Sequence, residues 1–109
     1  MNGGPLPPIT IEGCRATGHV KLNDKPLDPA LSQAVRNHSP DGFAWGYVGS
    51  GPSQLALAIM LELVNRPAAE SFYQQFKRDF VGEWPMTDFC VTIDFWPWFE
   101  RELEKRIPK

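Results

Sequence analysis

His38-Ser39-Pro40-Asp41-Gly42 puts a base, a hydroxyl and a carboxylate into one short run, and Gly49-Ser50-Gly51-Pro52 follows close behind. Hydrolytic chemistry is the first thing such residue types suggest. A nucleophile system, however, needs its three groups to converge in space, and neighbours in sequence rarely do. Ser-Pro and Asp-Gly are turn formers, so His38, Ser39 and Asp41 are expected to shape a polar loop that contacts a partner or ligand, without catalysis. Gly49, Ser50 and Gly51 precede a helix, where free N–H groups and the helix dipole favour an anion. The turn lacks the Lys-Ser/Thr ending of a P-loop and the spacing of GxGxxG. Its plainer role is to turn the chain into the helix.

The remaining candidates exclude more than they suggest. His19 and His38 are isolated, with no pair of cysteines near them, so no metal and no cofactor is expected. Cys14 and Cys90 read as free, buried thiols of a cytoplasmic protein, without a disulfide. The net charge is −2, and Arg15, Lys21, Lys25 and Arg36 are too spread to line a nucleic-acid groove. No apolar run approaches the roughly 18 residues of a membrane span. Trp98 falls off the apolar stripe of its expected helix. That makes it a candidate interface anchor, because tryptophan is enriched in binding hot spots.

The elements that must position these residues follow from periodicity. Residues 1–8, MNGGPLPP, read as a flexible lead-in, and 9–109 as one domain of 42% hydrophobic and 22% charged residues. Alternation in Ile9–Glu12 and Val20–Leu22 predicts an N-terminal hairpin, with a turn at Asn23–Pro26. Residues 27–37 are compatible with a short helix, capped by Asp28 and using Leu31, Ala34 and Val35 as its face, or with extended chain. Phe43, Trp45 and Tyr47 alternate with small residues and predict an aromatic strand over 43–48.

Pro52 then opens a helix over about 52–64, apolar on nearly every side and therefore buried. A second helix over 67–81 buries Ala69, Phe72, Tyr73, Phe76 and Phe80, exposes Lys77 among other polar residues, and stops at Gly82. Residues 88–93 alternate as a strand. Asp94 caps a last helix over 95–106, with the stripe Phe95, Trp96, Phe99, Leu103 and Ile107 and a Glu102–Arg106 pair. The expected architecture is α+β: a small antiparallel sheet covered on one face by three helices.

The fingerprint His38-Ser39-Pro40-Asp41-Gly42-Phe43, Trp45-Gly46-Tyr47, Gly49-Ser50-Gly51-Pro52 and Gln54–Ala58, with Tyr73-Gln74 and Phe76-Lys77, resembles a family of unknown function, DUF6166. The resemblance covers about residues 9–99. Val48 stands where that family usually has glycine, and Trp96-Pro97-Trp98 where one tryptophan is expected. The resemblance implies a small protein of bacteria, archaea and mobile elements but no activity. The expected function is a non-enzymatic binding module that docks onto a protein partner, a second copy of itself included. Encoded on a phage or plasmid, it would regulate or inhibit host machinery such as a defence system. The alternative is a domain that binds a phosphate-type anion at Gly49–Gln54 with His38 and Ser39.

Overall fold

Asn23 and Asp24 both adopt positive φ, 50° and 68°, the pairing that a two-residue hairpin turn requires. In a computed structural model describing residues 6–107, they join β2 (Val20–Leu22) to a two-residue strand, β3 (Lys25–Pro26). β1 (Ile9–Gly13) pairs with β2 on one side and with β4 (Phe89–Ile93) on the other, giving an antiparallel sheet in the order β3-β2-β1-β4. Ile9, Ile11, Val20, Leu22 and Phe89 point into the core, while Lys21, Cys90 and Thr92 face solvent. Residues 1–5 of the expected lead-in lie outside the described residues.

Among the described residues, four α-helices accompany the sheet. α1 (Pro29–Val35) is the helical alternative for residues 27–37, and Asp28 caps it by accepting from the Ala30 N–H. Its buried face is not the expected one. Leu31 and Ala34 are exposed, Val35 is half-buried, and Ser32 is the buried residue. α2 (Ser50–Leu63) is buried continuously from Gly51 to Met60 and forms the centre of the molecule, as its all-round apolarity implies. α3 (Arg66–Asp79) starts from Asn65, whose side chain accepts from the Ala68 N–H. It ends at Phe80; Gly82 lies in a single 3-10 turn, Val81–Glu83, and is not the helix stop. α4 (Phe95–Lys105) closes the described chain.

The aromatic strand over 43–48 does not form. Gly46 has φ +84°, outside any strand, and its N–H donates to Val81 O at 3.0 Å instead of joining a ladder. A Cβ on Gly46 would run into Met86 and the backbone of Trp84, so the position demands glycine for closeness as well as conformation. The three aromatics therefore do not share a face. Trp45 is buried and donates its indole N–H to Thr87 O at 2.8 Å, Phe43 is half-buried, and Tyr47 is exposed. Alternation by itself cannot distinguish a strand from an extended segment that has no ladder partner.

Trp98 is not an exposed anchor. Only 5% of its surface is accessible, it packs against Phe76, Phe80 and Phe95, and its indole N–H donates to Asp79 Oδ2 at 2.8 Å. The buried face of α4 is Phe95, Trp98 and Glu102; Leu103 and Ile107 of the expected stripe are exposed, and Trp96 and Phe99 are half-buried. The face is rotated because Asp79 at the end of α3 offers the indole an acceptor. The expected Glu102–Arg106 pair is also replaced. Glu102 pairs with Lys105 at 2.8 Å, and Arg106 lies over the Phe72 ring and donates to Ser71 O.

Trp98→Ala is accordingly a stability variant. Removing a packed tryptophan costs about 3–5 kcal/mol, and urea denaturation should show a loss of that size; a loss under about 1 kcal/mol would mean a surface side chain.

Candidate anion-binding site

Gln54, in the first turns of α2, is fully buried. A buried amide without partners is expensive, so all its hydrogen-bonding capacity is expected to be used. Its Oε1 accepts from the backbone N–H of His38 at 2.7 Å and of Ser39 at 3.0 Å. Its Nε2 donates to Ser32 Oγ at 2.8 Å and to Arg36 O at 3.2 Å. Gln33 adds a bond from Nε2 to Ser39 O at 2.8 Å. The loop after α1 is thus tied to the start of α2, and the His38 side chain is aimed at α3.

There the His38 Nε2 and Tyr73 Oη lie 2.6 Å apart, with the two rings tilted at 46°. Lys77 stands one helical turn beyond Tyr73, on the same side of α3. Its ammonium donates to Ser53 Oγ at 3.1 Å, and Ser53 belongs to the opening turns of α2. Two rungs, His38–Tyr73 and Lys77–Ser53, thereby link the loop, α3 and the N-terminal end of α2. Gly49 is the N-cap of that helix and supplies no side-chain bond. The Tyr47 ring lies where a Cβ on Gly49 would sit, and Ala44 with the Tyr47 hydroxyl closes against Gly51, so Tyr47 and Ala44 pack on this end of the helix and Ser50 is its exposed residue. Ser53 N–H bonds to Gly49 O, whereas the N–H groups of Ser50 and Gly51 belong to the unpaired set at a helix start.

Among the candidates named from sequence, His38 is tied through its backbone to Gln54, on the helix whose start Gly49, Ser50 and Gly51 form. Ser39 contributes backbone groups, and Asp41 is exposed. Trp98 is held at Asp79 and is not part of the cluster. Lys77, expected in water, is 8% exposed. Sequence reasoning missed Lys77, Ser53 and the polar end of Tyr73. The signal that could have found them is the contradiction of Gln54 and Ser53 on a helix buried all round, since buried polar groups require partners.

Residues 11–101 match the model of a family described only as being of unknown function, DUF6166. The chain belongs to this family. No curated protein and no solved structure matches it.

The distinguishing electrostatic feature of this DUF6166 chain is a cation without a counter-charge. Lys77 takes part in no salt bridge among the described residues. Burial, and then the Arg78 charge, push its ammonium below the usual lysine range. Burial likewise lowers His38, and the Arg36 and Lys77 charges lower it further. Other features of the described residues are weaker. No group of three or more His, Cys, Asp or Glu is placed to hold a metal ion. Cys14 and Cys90 are free, as expected, but exposed on the sheet, not buried. Hydrogen bonds from Thr17 and Ala16 lower the Cys14 thiol, opposed by its desolvation and by Asp88. His19 is exposed. Among the described residues, no helix is long and apolar enough to cross a membrane.

Two measurements check this picture. With its folded pKa below the unfolded value, His38 favours unfolding once protonated, so stability is present above about pH 6.5 and is lost as pH falls through the folded pKa. The urea midpoint should therefore drop on acidification, and His38→Gln should flatten the drop; an unchanged profile would contradict the shift. Lys77→Met should leave stability unchanged or raise it by about 1 kcal/mol, whereas a clear loss would make Lys77 a structural residue.

Proposed function

We propose that the protein is a non-enzymatic binding module for a phosphate- or carboxylate-type anion, held between Lys77, His38, the Ser53 hydroxyl and the N-terminus of α2. The observation that carries this is Lys77: a lysine only 8% exposed, whose ammonium has one neutral hydrogen-bond partner and no salt bridge among the described residues. Such a charge destabilises a fold unless something neutralises it, and a bound anion would do so. The helix start supplies further donors, through its exposed residue Ser50, and a favourable dipole. His38 supports a preference for the more highly charged anion, because its protonation would add a second cation beside Lys77. Lys77, the Tyr73 phenol and the Ser53 hydroxyl also stand at the cluster, but the Ser53 hydroxyl is bonded to Lys77 and not to His38, and Ser39 and Asp41 do not turn their side chains into its hydrogen bonds, so binding is the better-supported reading over general acid–base catalysis.

Docking of a protein partner remains compatible with this module, with the anion borne by the partner, and so does the mobile-element setting that the family resemblance implies. Trp98, however, no longer supports docking.

Inorganic phosphate followed by calorimetry and thermal melting is the direct test. Saturating phosphate should raise the melting temperature, and a hundredfold excess over Kd corresponds to about 2.7 kcal/mol of added stability. Sulfate, whose charge does not change near neutral pH, should bind more tightly as acidification protonates His38, and phosphate affinity should drop by about tenfold or more in Lys77→Met, one charge-assisted hydrogen bond being worth that much. Phosphate without effect on wild-type melting, or an identical effect on Lys77→Met, would overturn the assignment.

A further inference from the structure

The two edges of the sheet differ. β3 is two residues long and consists of a lysine and a proline, both of which discourage the addition of another strand. β4, FCVTI, is the other edge and contains no proline, glycine or charge. Its outward backbone groups follow from register. Asn23 N–H donates to Thr10 O at 2.8 Å and Thr10 N–H to Asn23 Oδ1 at 2.9 Å, so Thr10 turns its backbone towards β2. Cys14 N–H does the same with His19 O at 2.9 Å. By alternation Ile9, Ile11 and Gly13 turn theirs towards β4, where they oppose Ile93, Val91 and Phe89. The N–H and C=O groups of Cys90 and Thr92 therefore point away from the sheet, and both side chains are exposed.

Two further features mark this edge. Val91 and Ile93, on the helix side of β4, are only half-buried, so apolar surface borders the free backbone. Asp88 and Asp94 frame the strand, and neither makes a salt bridge among the described residues. Asp94 occupies the N-cap of α4 without a capping bond, and Asp88 uses Oδ1 for the Arg15 N–H at 2.7 Å, leaving Oδ2.

We propose that the β4 edge docks an extended peptide segment of a protein partner by strand addition. The segment carries a basic residue at each end, facing Asp88 and Asp94, and apolar residues between them that face Phe89, Val91 and Ile93. Backbone bonds to Cys90 and Thr92 provide affinity, while the flanking charges and alternate apolar positions provide selection. A second copy of this chain is a poorer occupant. Full antiparallel overlap about Val91 would set Asp88 against Asp94 of the copy at both ends, and like charges directly opposite each other repel. This edge is separate from the Lys77 cluster and does not depend on the anion assignment.

The test uses the full chain with an acetylated peptide, Lys-Val-Thr-Val-Thr-Val-Lys, and its counterpart with glutamate at both ends. Amide NMR should show saturable binding of the basic-ended peptide, with slower hydrogen exchange at Cys90 and Thr92. The glutamate-ended peptide should bind at least about tenfold more weakly, two charge pairs having turned repulsive. Thr92→Pro should still fold, because the N–H it removes faces solvent, and should weaken binding by about tenfold. If that variant does not fold, the double variant Asp88→Lys with Asp94→Lys replaces it and should reverse the preference between the peptides. Unaltered exchange at Cys90 and Thr92, equal binding of both peptides, or light scattering showing a dimer with those amides protected would each overturn the proposal.

Discussion

The side-chain amide of Gln54 is the constraint on which the rest of the molecule depends. It sits on the central helix with its two donors and two acceptor sites occupied, by Ser32, Arg36, His38 and Ser39. Through it, a buried helix specifies the course of a loop that has no regular structure of its own. Few apolar contacts could do this, since burial is non-directional whereas a fully satisfied amide fixes both position and orientation. The loop in turn places His38 against Tyr73, and α3 is thereby set against α2 with Lys77 beside Ser53.

The electrostatics of this junction run against stability and in favour of a ligand. Two basic groups, Lys77 and His38, are held close enough that the first depresses the second, and burial depresses both. Elsewhere Arg66 pairs with Glu70 and Lys105 with Glu102, while exposed charges such as Lys21, Lys25 and Asp94 are left to solvent. Lys77 differs in combining burial with the lack of a salt bridge among the described residues, and such departures from electrostatic economy concentrate at functional sites. The same contrast appears in the sheet, where one edge is closed by lysine and proline and the other is left free between two aspartates.

Much of this was legible from residues, and the failures have physical causes. The hairpin, β4, the buried character of α2 and the amphipathic α3 follow from periodicity, because each repeats its pattern long enough to override local ambiguity. The strand over 43–48 was misread because two-residue alternation records extended chain, whereas a strand also needs a ladder partner; Gly46 bonds to Val81 O instead. Trp98 was misplaced because a helical stripe ranks positions by hydrophobicity, whereas an indole N–H follows its acceptor, here Asp79. Lys77 was assigned to water by its charge, although its position beside Phe76 and Tyr73 places its stem against the core, and only the hydroxyl of Ser53 explains where its ammonium ends. The Gly49–Pro52 turn follows from its residue types, whereas nothing in them indicates that Lys77 bonds to Ser53 just after it.

The most direct measurement is the pKa of the Lys77 ammonium by NMR, in the full chain, without and with saturating phosphate. A cation held without a counter-charge and neutralised by a bound anion should titrate below the ordinary lysine value of about 10.4 alone, and move upward when phosphate is present. A Lys77 that titrates at the ordinary value without phosphate, or one whose depressed value phosphate leaves unchanged, would contradict the account.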